Sequence, residues 1–531
     1  MNGISQLSLC KKPENDHRPS ISELSESLRR AFASVEALVS EWADRGDAVA
    51  FKDFELALRS VVMALARAAV CLFLEQREDR VVARVGTQGV ASGRRFRRAP
   101  ARARNLMTLF GVIRYWRTYM REVSNSPRRG YHPLDVSLGL TADRVSWNVL
   151  SMAALFATKL SFAQARSCLM PFLPVVPSTE VIEQTVLGLG HHTEDWFASA
   201  PPPEADGEVL VIMVDSKGAP TATEQELERR RGKRKQMAPA WARSPRHRSR
   251  QRRSRHPKKA RPAKGDKSKN AKMATMVVLY TLRREGELLV GPINRWTYAS
   301  FAPKKRAFVV ALREAEKRGF SAASGKRIQV VTDGDDDLAR YTAEYFPEAL
   351  HTIDIIHVVE KLWDAGLCLY PEGSEELRQW VAENRERLYG GAAPVVVYHL
   401  QKSMNAIPKT GPGNKNRRER LASVIRYISK RYDKMRYHQL AAEDLEVSTG
   451  LIEGAIKNII GRRCDQGGMR WIKERAESVL QLRCIEANGD WDAFCSFVHD
   501  RLQAKGQHQG LRVRLQTQNP ASLPPAFEVA A

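Results

Sequence analysis

Two short apolar runs each end on an aspartate, and they restrict the possible folds of this chain more than any other feature of its sequence. Val209-Leu-Val-Ile-Met-Val runs into Asp215, and Ile328-Gln-Val-Val-Thr runs into Asp333. Runs this short and this apolar read as central strands buried on both faces. Between them lie two more strand candidates, Met276–Arg283 and Leu288–Val290, with Gly286 in the turn, and then an amphipathic helix from Lys304 to Arg318. Beyond Asp333 the pattern gives a helix over Asp337–Phe346, a strand over Ala349–Asp354 and a helix beginning near His357.

Three strands, helix, strand, helix, strand, helix is the order of the ribonuclease H-like fold, an α/β core whose mixed sheet is flanked by helices. In that order the first and fourth strands lie side by side, so Asp215 and Asp333 should project from neighbouring strand ends into one site. Displacement at a phosphodiester needs an activated nucleophile and a stabilised leaving oxygen, and two divalent ions held by carboxylates supply both. Hard Mg²⁺ (or Mn²⁺) suits such oxygen ligands. The third carboxylate falls best at Glu453, on a helix entered through Ser448 or Thr449, with small Gly454 and Ala455 beside it and Lys457 one turn on. Asp335 is the residue that could replace Asp333 as ligand, although Asp335, Asp336 and Asp337 read more simply as a helix cap and a solvated face.

Charge points to the partner. The chain carries 85 Lys+Arg against 60 Asp+Glu, a formal +25, which favours a polyanion such as double-stranded DNA. Most of the excess is concentrated: Arg229 to Lys272 holds 20 basic residues and one acid, Asp266. Lacking aliphatic residues beyond alanine, this tract cannot bury a core and should be disordered until DNA orders it. A second basic stretch, Arg94 to Arg104, approaches a strand pair, Leu106–Leu109 and Val112–Tyr119, hinged at Gly111. There Arg114, Tyr115, Trp116, Arg117 and Tyr119 interleave charge with aromatic rings. Phe162–Met170 and a helix restarting at Ser178 or Thr179 have a helix-turn-helix outline, although the second helix carries no Lys or Arg.

The N-terminal part reads as helical. Ser20 and Glu23 form a capping-box pattern, and Phe51 to Gln76 forms a second long helix, together an αα-hairpin or a dimer interface. Its most apolar stretch, Val61 to Leu74, is 14 residues long and contains Arg67, too short and too charged for a membrane span. The first 20 residues lack a signal-peptide core. Seven scattered cysteines (Cys10, Cys71, Cys168, Cys368, Cys464, Cys484, Cys495) form no Cys-x-x-Cys pair, so no disulfide framework or zinc site is expected, and a cytoplasmic, nucleoid-associated enzyme is the simplest expectation.

The stretch from Glu453 through Lys457, Arg462, Arg463, Gly467, Gly468, Met469, Arg470 and Trp471 resembles a signature of ISKra4-like bacterial insertion-sequence transposases. Val-Asp-Ser-Lys-Gly at 214–218, Thr-Asp-Gly at 332–334, Phe346 through His357 and Pro133 through Leu140 resemble the same family, over roughly residues 100–500. The resemblance implies a DDE transposase, catalytic and metal-binding through Asp215, Asp333 and Glu453. It places Asp354 and His357 beside the active site, where a capping Asp354 with a packed His357 is the plainer alternative. It also implies strand transfer of cleaved 3′ ends into target DNA, and a homodimer or higher oligomer. DNA contacts are expected from Arg229, Arg230, Arg231, Lys233, Arg234 and Lys235 of the tract, and from Arg462, Arg463 and Arg470. Relatives often carry cysteine pairs where this chain reads Met120-Arg-Glu-Val-Ser-Asn-Ser-Pro, so no zinc is expected. The alternatives are a resolvase-type nuclease of the same fold, or a transposase-derived DNA-binding regulator with a dead site. The expected division is a helical 1–92, a DNA-binding 93–200, a core over 201–363 and 447–503, and a tail over 504–531. An α-helical insertion over 364–446 would act as a DNA clamp through Arg417, Arg418, Arg420, Arg426, Lys430, Arg431, Lys434 and Arg436.

Overall fold

The computed structural model describes residues 17–45, 50–86, 88–91, 94–123, 130–226, 228, 271–466 and 470–504. Most of the basic tract, Gly467 to Met469, Cys10 and residues 505–531 of the tail lie outside the described residues. The chain forms two compact units, residues 1–189 with 492–531, and residues 190–491.

In the first unit, α1 (Ile21–Ala43) begins with the expected capping box: Ser20 accepts from the Glu23 amide and Glu23 from the Ser20 amide. Helix α2 covers Phe51–Val85, nine residues past the expected end. That length corrects the sequence argument, because α2 is by length and composition alone long and apolar enough to cross a membrane. Its C-terminal half is built into this unit. Leu74 packs with Leu106, Ile113, Tyr115 and Leu134, and Glu78 accepts the Thr118 amide at 2.6 Å.

The sheet beside it has the order β1 (Gln88–Ala91), β2 (Arg94–Thr108), β3 (Gly111–Glu122), β4 (Gly130–Tyr131), antiparallel throughout. The arginine-rich approach is thus itself strand. Pairing with β3 fixes its register, interrupted by a bulge between Ala99 and Arg102. Three helices follow, α3 (Pro133–Leu138), α4 (Trp147–Lys159) and α5 (Phe162–Leu169), and then α6 (Thr179–Gly190). Helix α6 corrects the helix-turn-helix expectation. It buries Ile182, Gln184, Thr185, Val186, Gly188 and Leu189 and fully exposes only Thr179 and Glu180, so most of its surface is engaged in the fold, and its partly exposed stripe carries Glu180 and Glu183.

The second unit holds a five-stranded mixed sheet ordered β7 (Leu288–Ser300), β6 (Ala271–Glu285), β5 (Val209–Pro220), β8 (Arg327–Thr332), β9 (Leu350–Ile353). The β7–β6–β5 meander is antiparallel, and β5–β8 and β8–β9 are parallel. Val209 to Val214 and Val330 to Thr332 are all buried, as central strands require. Helices Lys304–Lys317 and Lys473–Ala487 pack on β6 and β7. Helices Glu375–Tyr389, Ala393–Ala406 and Asn414–Ser429 form the all-α segment between β9 and Glu453.

Candidate active site

Asp215 does not end its strand. β5 continues to Pro220, paired with β6 as far as Pro220↔Ala271, whereas its other neighbour β8 stops opposite Val214 at Thr332. Asp215 therefore sits where β5 loses one partner, and Asp333 is the first residue past the end of that partner. Adjacent strands are about 4.8 Å apart, so the register alone brings the two aspartates to the same end of the two central strands. Pro220 and Ala271 flank the basic tract, so both its attachment points lie on the strand pair that carries Asp215.

Asp333 is held by its backbone. Its carboxylate accepts the Asp335 amide at 2.8 Å, and its carbonyl accepts the Tyr427 hydroxyl at 2.8 Å. Gly334 has φ +84°, and a Cβ there would fall 2.5 Å from the Tyr427 Oη, so conformation and space both require glycine. Asp335 is committed elsewhere. It caps helix Asp336–Tyr345 through the Asp337 and Leu338 amides and pairs with Lys304 at 2.8 Å. Burial alone would raise its pKa, but Lys304 and the two amides hold it below the usual carboxylate value. Those commitments favour Asp333 as the ligand.

Asp354 is fully buried, and its two oxygens take four hydrogen bonds. The Ile356 amide (3.0 Å) and Thr449 amide (3.1 Å) reach Oδ1, while the Thr449 hydroxyl (2.6 Å) and His357 Nδ1 (2.5 Å) reach Oδ2. Capping and packing thus coincide with proximity to the site. One carboxylate caps helix Ile355–Gly366, orients the imidazole and fixes Thr449, the residue before the short helix Gly450–Ala455 that carries Glu453. Among the described residues, Asp354, His357 and Glu453 form a group able to hold a metal ion, their donor atoms within 4.8 Å of one another. With its lone pairs so engaged, Asp354 acts as the strut of that group rather than a free ligand.

Electrostatics link this group to the strand aspartates. Burial pushes the Asp215 carboxyl up to about 6; the Ser216 amide and His357 oppose this, while Asp333 and Glu453 add to it. His357 moves up to about 9, first through its bond to Asp354 against the cost of burial, and then through the charges of Asp354, Asp215 and Asp333. Burial would raise Asp354, but its bonds from His357, Thr449 and Ile356 keep it low. The site thus gathers one imidazole, that of His357, with four acidic residues, Asp215, Asp333, Asp354 and Glu453.

After Glu453 the chain winds into a π-helical stretch, Ile456–Asp465, a rare form that often marks functional sites. Lys457 is exposed on it, as is Arg462. Arg463 corrects an expectation: it is 1% exposed with its guanidinium 4.5 Å over the Trp471 ring, so it braces the fold and is not a DNA contact. Arg470 is exposed and pairs with Glu226 at 3.1 Å. The clamp arginines also divide. Arg431 is buried against Asp336 and Tyr427, and Arg418 and Lys434 are half-buried, whereas Arg417, Arg420, Arg426, Lys430 and Arg436 are exposed, Arg417 and Arg436 donating to main-chain carbonyls and Lys430 pairing with Asp336.

Sequence reasoning missed the two tyrosines that tie the helical segment to the site. Tyr427 donates to the carbonyl of Asp333 and Tyr437 to that of Ile353 at 2.9 Å, so each clasps a strand end beside a site acid. A lone tyrosine on an amphipathic helix gives no signal of this in sequence. Neither the known protein families nor the curated proteins include a match to this chain.

Proposed function

We propose that this chain is a metal-dependent DNA transposase with a ribonuclease H-like core, using Asp215, Asp333 and Glu453. The observation that carries the reading is the strand register that brings Asp215 and Asp333 together, with the half-buried Asp215 carboxyl pushed up to about 6 by desolvation and by the nearby Asp333 and Glu453. The strand order, with the Asp215 and Asp333 strands parallel neighbours, supports the fold.

The donor set fits a hard divalent ion, all oxygen from carboxylates. Asp215, Asp333 and Glu453 would hold two Mg²⁺ or Mn²⁺ ions, which when bound activate the attacking oxygen and stabilise the leaving one. The protein's own part is charge and position. His357, kept cationic by Asp354, offers a proton donor to a phosphate oxygen, and Asp354 fixes the imidazole and the Glu453 helix at once. In cleavage, water adds to phosphorus as the P–O3′ bond breaks, leaving a 3′-hydroxyl. In joining, that hydroxyl attacks a target phosphate. Double-stranded DNA is the substrate, and a homodimer or higher oligomer on DNA is part of the reading.

The test uses the full chain, Mg²⁺ and duplexes carrying the element's ends, either intact or pre-cut to expose the 3′-hydroxyl. Cleavage and joining are expected, and Asp215→Asn, Asp333→Asn or Glu453→Gln should each reduce both by about a thousandfold, roughly 4 kcal/mol of barrier. Cleavage without joining would mean a resolvase-type nuclease. Sequence-specific binding without metal-dependent cleavage would mean a regulator.

A further inference from the structure

We infer that the arginine-bearing end of the four-stranded sheet, where β2 and β3 lie between β1 and β4, is a duplex-DNA-binding surface of the first unit. The inference rests on the reading of this chain as a DNA enzyme and adds the element that grips the duplex.

The two strands treat their arginines in two ways. Near the hairpin, Arg104 and Arg117 turn inward onto the buried Asp135, where Arg104 also donates to the Tyr115 hydroxyl and to the main chain at Thr141 and Asp143. These two hold the unit together. At the bulge Arg102, and beyond it Arg95, Arg97 and Arg98 with Arg121 on β3, are exposed, and none has a carboxylate partner among the described residues. Alternation around buried Phe96 puts Arg95 and Arg97 on one face, and the register sets Arg97 directly opposite Arg121 on that face. Like charges directly opposite across a ladder are destabilising. A polyanion removes that cost.

The strands that carry these arginines belong to a four-stranded sheet, with β1 outside β2 and β4 outside β3, so the charges stand on a sheet face that suits a phosphate backbone rather than on a ribbon that enters a groove. Tyr119, two residues from Arg121 on the same strand, packs its ring 5.1 Å from that of His132. Only one acid, Glu122, lies on either strand to repel a phosphate. Arginine forks suit phosphate oxygens, so the sheet face would fix position on DNA without reading sequence.

The experiment is a salt titration of binding by the full chain, without metal, to a random duplex and to a single strand of the same length. The triple variant Arg95→Gln, Arg97→Gln, Arg121→Gln is compared with Arg29→Gln, Arg45→Gln, Arg378→Gln. The second variant loses the same charge from arginines already paired with Glu26, Glu41 and Glu375. Unchanged circular dichroism establishes that each variant is folded. The sheet variant should flatten the slope of log affinity against log salt by about 2.7 on duplex, at about 0.9 for each phosphate it no longer neutralises. The paired-arginine variant should leave it nearly unchanged. Equal slopes for parent and sheet variant, equal losses in both variants, or a loss confined to the single strand would overturn the sheet surface while leaving the DNA enzyme standing. A parent chain whose duplex binding ignores salt would overturn both.

Discussion

Each unit sets an aspartate in a charged cluster, Asp135 buried and Asp215 half-buried, and the two clusters are completed differently. Asp135 in the first unit is fully enclosed and saturated by Arg104, Arg117 and Tyr115. Asp215 in the second sits beside Asp333 and Glu453, with His357 the nearby cation, and its proton is held up to about pH 6. The chain has arginines in abundance and places none against Asp215 among its described contacts. A charge that the protein neutralises internally serves the fold. A charge it leaves uncompensated is available to something that binds.

The contrast breaks most easily at its two centres. Asp135→Asn should destabilise the protein by about 3–5 kcal/mol, because it strands two buried guanidiniums. Asp215→Asn should move stability the other way, raising the melting temperature of the metal-free protein at pH 8, because it removes an anion that burial disfavours. Chemical denaturation of both variants decides the matter. Matching losses would mean that Asp215 is a structural acid like Asp135.

The imidazole gives a pH signature of intermediate size. A histidine whose folded pKa is raised from about 6.5 to about 9 contributes stability that is complete below pH 6.5 and is lost as pH rises through 9. The melting temperature of metal-free protein should fall between pH 7 and 9.5, and His357→Gln should flatten that decline. An unchanged decline in the variant would show that the Asp354–His357 bond is not its source.

The smallest effect sharpens the comparison. Tyr427→Phe removes one hydroxyl from the Asp333 carbonyl and should cost about 1 kcal/mol of stability. Its larger consequence should be a higher Mg²⁺ concentration for half-maximal cleavage, with full rate recovered at saturating metal. A lower maximal rate at unchanged metal requirement would place Tyr427 on the DNA instead.

The order of elements in the second unit was legible because buried strands and amphipathic helices leave different periods in sequence. The strand over Arg327–Thr332 and the helix over Lys304–Lys317 fell within a residue of expectation. The β2–β3 pair was legible only in its hairpin half, since a row of arginines satisfies no alternation rule and is held as strand by register against β3. Helix α6 misled for the opposite reason: its outline was right, but burial, which local sequence does not report, took most of its side chains.

Local patterning therefore determined where most strands and helices lie, and that Asp215 and Asp333 each follow a buried apolar run. Tertiary structure decided which charges are spent on the fold. Arg463 went inward under Trp471 although its neighbour Arg462 stayed exposed, Asp335 became a cap, and Asp354 tied His357 to the helix of Glu453. The physical reason is that a side chain's partners across the fold, 95 residues away for Asp354 and Thr449, set its burial and its charge. Those distances close only when the sheet does.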